Sequence, residues 1–366
     1  MRILVAPDKF AGTLSAVEAA DAVVAGWLRH APADELSTVP MSDGGPGFVH
    51  ALESHLDGEL LALSVSGPYG ARVPATMLLH QGTAYIESAQ ACGLHLTPAD
   101  ERDPERATTV GVGELVGAAV DAGARRVVVG LGGSATNDGG AGMLSALGAD
   151  ADVDLRAGAA GLAGLAEDTR IDITAAGRRV GDVALVLASD VDNPLLGLRG
   201  AINVFGPQKG VRDERKPYLD GLLERLADAT DRATANAPGA GAAGGLGFAM
   251  LLLGGTREPG VELIAGAVGL EQQCGQADLV VTGEGAFDYS SRGGKVVYGV
   301  AQVAGGLARP CIVVAGRVDI GSREMRALGV EQAYSMRELV GEQQAFADPA
   351  GSLAAVAERA ARQWSR

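Results

Sequence analysis

The 366-residue chain is poor in cysteine, lysine and histidine, and each shortage excludes something. Its three cysteines, Cys92, Cys274 and Cys311, are too scattered for a zinc pattern or a disulfide framework. No apolar run approaches the ~18 residues of a membrane span. The opening Ile3-Leu4-Val5-Ala6 turns polar at Asp8, too soon for a signal peptide, so a cytoplasmic protein is expected. No basic cluster relieves the formal net charge of −15, which argues against a nucleic-acid partner. Familiar catalytic signatures are missing as well. Gly294-Lys295 runs on to Val296 without the upstream glycine of a nucleotide-binding Gly-x-x-x-x-Gly-Lys-Ser/Thr loop. There is no His-Glu-x-x-His, and Ser134 is followed by Ala135-Thr136 rather than by the second glycine of a nucleophile elbow. The five histidines (30, 50, 55, 80 and 95) fall in expected helices or hairpins away from the loops, so a histidine base is not expected.

What the chain has in excess is glycine, 54 residues, roughly double the usual share. The densest stretch is Gly130-Leu131-Gly132-Gly133-Ser134-Ala135-Thr136-Asn137-Asp138-Gly139-Gly140, between an apolar strand (126–129) and an expected helix (141–147). A glycine-rich turn there allows backbone N–H groups to face an anion, helped by the helix dipole. Gly130-x-Gly132-x-x-Ala135 also fits a loose dinucleotide pattern, but Gly239-x-Gly241-x-x-Gly244 fits as well, and a motif that recurs in a glycine-rich chain is weak. The four lysines are informative against 26 arginines. Lys9, Lys209 and Lys295 each sit in a glycine-bearing turn near a strand end, where a compact ammonium differs from a planar guanidinium. Lys216 reads as a solvated helix-start residue.

The length suggests two domains, at about 150 residues each. Residues 2–6 read as a strand, Ser15-x-x-Glu18 as a capping box opening a helix, and a short strand follows near 38–40. The C-terminal part repeats the alternation, with strands at 278–282, 311–315 and 333–334 and helices at 295–305, 322–328 and 350–364. Such alternation predicts a parallel sheet with helices on both faces. The middle differs. Residues 60–65, 72–79 and 83–87 read as hairpin strands, then come helices at 108–122 and 214–235 and a strand ending at Asp190. An α/β protein of two domains is expected: residues 1–65 with 275–366 as one α/β sheet, and 66–274 inserted as a mixed α/β domain.

Several carboxylates end strands or occupy glycine turns: Asp8, Asp43, Asp190, Glu284 and Asp288. In an open α/β sheet the strand carboxyl ends face the ligand crevice. Anion loops, lysines and carboxylates without histidine suit phosphoryl transfer, where catalysis is mostly positioning and charge neutralisation. A nicotinamide-dependent oxidoreductase and a non-catalytic ligand-binding homologue stay open on these residues alone.

At this point the chain resembles the bacterial type I glycerate kinase family. The likeness is carried by GLGGSATNDGGAGML (130–144), Ser189-Asp190-Val191-Asp192-Asn193-Pro194-Leu195, FGPQKG around Lys209, Gly239–Gly247 and Thr282-Gly283-Glu284-Gly285. The resemblance implies ATP, Mg²⁺ and D-glycerate, with 2-phosphoglycerate as the usual product and 3-phosphoglycerate the alternative. It also implies a flavodoxin-like domain from both termini and an insert with a restriction-endonuclease-like core. The expected roles are Gly132, Gly133, Ser134, Ala135, Thr136, Asn137 and Gly139 for the nucleotide phosphates. Asp190, Lys209 and Lys295 are expected to serve catalysis, Asp8, Lys9, Ser42 and Asp43 the acid substrate, and Glu284 and Asp288 the Mg²⁺. A monomer or a homodimer is expected, with no membrane partner. Three places depart from the family's usual pattern: Lys9 with Ala11, Ala286, and Pro46 with Phe48.

Overall fold

The computed structural model describes residues 1–166, 168–289 and 295–365. Its strands are β1 (Arg2–Pro7), β2 (Glu35–Thr38), β3 (Glu59–Ser66), β4 (Arg72–His80), β5 (Thr83–Glu87) and β6 (Arg126–Gly130). They continue as β7 (Ala184–Ala188), β8 (Thr256–Glu258), β9 (Leu279–Asp288), β10 (Cys311–Asp319) and β11 (Gln332–Ser335). The chain divides into two compact units. The terminal unit holds Met1–Asp43, His50–Leu56 and Pro259–Arg366; the inserted unit holds Gly44–Val49 and Asp57–Glu258. The chain crosses between units at 43/44, 49/50, 56/57 and 258/259, where 65/66 and 274/275 were the expected boundaries. β3 is hydrogen-bonded along β4, and the helices Gly260–Ala267 and Leu270–Gln276 belong to the terminal unit.

The terminal unit is built on five parallel strands in the order β11-β10-β9-β1-β2. Numbered within the unit, that order is 2-1-3-4-5, a doubly wound sheet whose direction reverses between β1 and β9. Alternation along the strands covers both faces. Ile3, Val5, Leu279, Val281, Ile312 and Val314 pack with the helices Ala16–His30 and Pro349–Trp364. The intervening Leu4, Val280 and Val313 are equally buried. The first helix starts on the expected capping box: Ser15 Oγ accepts from Glu18 N–H at 3.2 Å and Glu18 Oε2 accepts from Ser15 N–H at 2.8 Å. β9 and β10 outrun their apolar stretches. Their ladder continues to Asp288 opposite Asp319, and Arg317 ties the extension by ion pairs to Asp288 (3.7 Å) and Asp319 (2.8 Å).

The inserted unit carries the sheet β3-β4-β5-β6-β7-β8. β3, β4 and β5 are the expected antiparallel hairpins, and β5 to β8 run parallel. A second core of Leu219, Leu222, Leu223 and Leu226 packs with Leu155, Leu162 and Phe248. The helix expected over 214–235 is shorter, Lys216–Ala229. It stops where Thr230 donates its hydroxyl back to the Leu226 carbonyl at 2.7 Å, a local bond that competes with further helix. The three-residue β8 carries no apolar run, and the sequence pattern did not announce it.

Candidate functional site

In the terminal unit, β1 ends into Asp8-Lys9 beside β9, at the strand-order reversal where such sheets bind ligands. A cavity of about 500 Å³ opens there, walled by Asp8, Lys9, Asp43, Glu284 and Lys295 together with the apolar Phe10, Met336 and Phe346. Lys9 Nζ lies 3.2 Å from Asp43 Oδ1 and 3.7 Å from Asp8 Oδ1, and Lys295 Nζ lies 3.8 Å from Glu284 Oε2. Asp8 is only 7% exposed. Burial raises its pKa to about 7; Lys9 opposes the rise, and Asp43 and Glu284 add to it. Lys295 stands at the start of the helix Val296–Gly306; residues 290–294 of the turn before it lie outside the described residues. Ala11 and Ala286 also line the cavity. Arg317 and Arg337 join the wall without having been expected from sequence. Strand alternation is the signal that could have found Arg317, since it continues the β10 ladder opposite Ala286.

Two expected site residues stand apart from this wall. Ser42 is buried at 2% exposure. Asp288 follows Glu284 by four residues along β9, about 13 Å at ~3.3 Å per residue. That separation corrects the expected metal pair, because ligands of one Mg²⁺ lie about 2.1 Å from the ion. Glu284 and Asp288 cannot both bind a single ion. Among the described residues no three potential ligands are gathered into a metal cage. Mg²⁺ in phosphoryl-transfer sites usually takes one or two carboxylates, with waters and substrate phosphates completing the shell. The acidic group of Asp8, Asp43 and Glu284 fits that requirement.

In the inserted unit the glycine loop is held from several sides. Gly132 N–H donates to Gly44 O (3.1 Å), Ala135 N–H to Cys92 O (2.7 Å) and Gly139 N–H to Gly244 O (3.0 Å). Gly133 O accepts from Leu94 N–H (2.9 Å), and Ser134 is bridged to Gly93. Thr136 Oγ1 donates to Ala243 O (3.2 Å), and Asn137 Nδ2 to Pro104 O (3.0 Å). Asn137 Oδ1 is buried with no donor among the described residues. Ser134 to Gly140 are buried, and only Gly132 and Gly133 reach the surface. The expected open cradle is therefore narrowed to its tip, because much of the loop's backbone is bonded within the protein. The dinucleotide pattern also lacks its context, since the helix begins only at Ala141.

Asp138 lies at the centre of this packing. It accepts from Thr109 N–H and Oγ1 (both 2.8 Å), Gly140 N–H (3.1 Å) and Gly142 N–H (3.2 Å). Burial raises its pKa, and these donors oppose the rise. Lys209 Nζ, enclosed with the residue 2% exposed, donates to Thr136 O at 2.6 Å. Burial lowers its pKa to about 8, against the attraction of Cys92 and Asp138. Gly244 closes the arrangement at φ +70°, where a Cβ would lie 1.8 Å from Thr136 O. Three separate motifs thus meet in one packed knot: the loop, the Lys209 turn and the 239–247 turn. Cys92 beside them is inert, its thiol pushed up to about 12 by burial.

Asp190 leaves the carboxyl end of β7, two residues past Ala188, which pairs with Gly130 of β6. The loop leaves β6 at that same end. Adjacent strands lie about 4.8 Å apart, so Asp190 and the Gly132–Gly133 tip emerge side by side. Arg257 donates to Ser189 O at 3.0 Å and steadies this corner.

Comparison with known proteins follows the same outline. A family model described as the glycerate kinase family matches residues 3–365. A protein named glycerate kinase from Bacillus subtilis is 40% identical over 344 residues, spanning 92% of this chain and 90% of that one. A protein named glycerate 2-kinase from Escherichia coli K12 is 39% identical over 351 residues, spanning 93% and 92%. A crystal structure titled as glycerate kinase 2 from Salmonella typhimurium LT2 superposes with a TM-score of 0.81 at 36% identity, covering 99% of this chain and 98% of that chain.

Proposed function

The chain belongs to the glycerate kinase family, and from that premise we propose that it transfers the γ-phosphoryl group of ATP to the 2-hydroxyl of D-glycerate. The emergence of Asp190 beside the Gly132–Gly133 tip, at the carboxyl ends of two neighbouring parallel strands, carries the mechanistic reading. In this reading the glycerate hydroxyl oxygen attacks the γ-phosphorus and its proton passes to the Asp190 carboxylate. The bond to the β,γ-bridging oxygen breaks, and ADP leaves with that electron pair.

The tip of the loop faces the phosphates. Lys209 acts through the loop it fastens, so it is a positioning residue. Lys295, its side chain 34% exposed and 3.8 Å from Glu284, would neutralise charge on the phosphates. Asp8, Asp43 and Glu284 would supply the one or two carboxylates for Mg²⁺, and Lys9 would orient the acid substrate. Mg²⁺, when bound, supplies neutralisation of the phosphate oxygens.

The reading is tested by incubating the protein with ATP, Mg²⁺ and D-glycerate and following ADP release, with NMR of the product. Formation of 2-phosphoglycerate is expected; 3-phosphoglycerate would move the acceptor hydroxyl. A change in NAD(P)H would favour a dehydrogenase, and binding without turnover a sensor. Asp190→Asn is expected to lower kcat by at least about 100-fold, the usual scale of a lost general base. Normal turnover in that variant would remove Asp190 from the proton-accepting role.

A further inference from the structure

The inserted unit holds a second cavity, of about 250 Å³, whose residues have no part in the reading above. It is walled by Arg106, Arg156, Thr108, Tyr69, Ser66 and Val110. Among the described residues, neither Arg106 nor Arg156 has an ion-pair partner. The nearby carboxylates are engaged elsewhere. Glu105 takes both of its bonds from Arg215, at 2.7 Å each. Glu114 accepts from Ser66 and Arg72. Asp103 Oδ1 accepts the Glu105 N–H, and Asp154 Oδ1 accepts the backbone N–H of Arg156 itself.

Val110 on this wall opens the twelve-residue helix Val110–Asp121, whose first turn has no acidic residue. The positive end of that helix is already met by Asp138 through Thr109, so the two arginines that border the void are its uncommitted charge, in a chain of net charge −15. Two planar guanidinium forks match the tetrahedral oxygens of a phosphate dianion. The void has room for a small metabolite but not for a nucleoside triphosphate.

We propose that this pocket is a second binding site, for a small phosphate-bearing anion. Its occupancy bears on the glycine loop. Thr108 lines the pocket, and its neighbour Thr109 supplies two of the bonds to Asp138. Pro104, in the same segment as Arg106, accepts the Asn137 amide. An anion gripped by Arg106 thus restrains the segment that supports the loop from outside.

The probe is inorganic phosphate, titrated calorimetrically into the full chain at fixed ionic strength. Saturable binding is expected in the wild type and in Lys295→Met. Both Arg106→Gln and Arg156→Gln should weaken it by at least tenfold, the scale of one lost charge-assisted contact. Because both side chains are exposed, the phosphate-free melting temperature should not move. Arg106→Lys, which keeps the charge but loses the fork, should fall between. Binding unchanged in both glutamine variants, or no saturable binding to the wild type, overturns the proposal. Phosphate that competes with D-glycerate and loses that competition in the arginine variants also overturns it, by making the pocket part of the substrate site. None of these binding readouts depends on the chain phosphorylating glycerate.

Discussion

The two sites are built in opposite ways. In the terminal unit, charged side chains at the sheet's strand-order reversal wall an open cavity, and their mutual contacts are loose, between 3.2 and 3.8 Å. In the inserted unit, all of the densest motif but its Gly132–Gly133 tip faces inward, bonded to the segments around it at 2.6–3.2 Å. A motif rich in polar groups and glycine looks like a ligand loop in either case. What separates the two is where the hydrogen-bonding capacity goes. In the inserted unit it builds a rigid support, and in the terminal unit it is held toward a space a ligand can enter. Variants that unfold the support should therefore differ in kind from variants that empty the cavity of charge.

The largest expected effect is at Asp138. Asp138→Asn turns one acceptor oxygen into a donor facing the donors of Thr109, Gly140 and Gly142. Breaking such a buried network should cost about 3 kcal/mol of stability. Urea unfolding measures it, and turnover should fall in step with the folded fraction and loop order. A variant with wild-type stability but no turnover would move Asp138 from support to chemistry. The next pair sharpens the contrast. Lys209→Met and Lys295→Met are each expected to lower turnover at least tenfold, about 1.4 kcal/mol in the barrier. Lys209→Met should also shift the melting temperature, because Thr136 O loses its buried donor. Lys295→Met should leave the melting temperature in place. Identical thermal behaviour of the two would erase the distinction between support and cavity.

Periodicity and turn chemistry made most of the architecture legible. The β1, β9, β10 and β11 runs, the hairpins of β3 to β5 and the Ser15 capping box all follow from local pattern. The 130–140 motif drew attention to the turn that leaves the carboxyl end of β6. Its inward-facing character was not legible, because it depends on Cys92, Gly244 and Lys209, partners distant in sequence. The resemblance paired Glu284 with Asp288, four residues on, as metal ligands, while the local pattern ended the strand at 282. Once β9 runs on to Asp288, the same spacing separates them. The β9–β10 extension itself rests on charged residues such as Arg317 of β10 and its cross-strand partner Asp288 of β9, which carry no apolar signal.

Asp8 gives the smallest expected effect and bears most directly on the open cavity. Its carboxyl has an ordinary value of 3.8 and is raised by burial to about 7. Between about pH 4 and about pH 7 the unfolded chain has released this proton while the folded chain keeps it, so stability falls as pH rises through that window. Above about 7 both states are ionised and the slope disappears. Asp8→Asn should remove this dependence, matching the wild type near pH 4 and exceeding it at pH 8. The opposing attraction of Lys9, 3.7 Å away, is already contained in the value of about 7, so the direction of the gain survives its loss. Denaturant midpoints taken at pH 5, 6, 7 and 8 decide the matter: curves that stay parallel would show that Asp8 ionises at an ordinary pH. If the variant gains stability at pH 8 while its turnover falls, the cavity holds a carboxylate that the fold tolerates for the sake of its ligand. The inward-facing loop offers no such trade, since its substitutions should lower stability and turnover together.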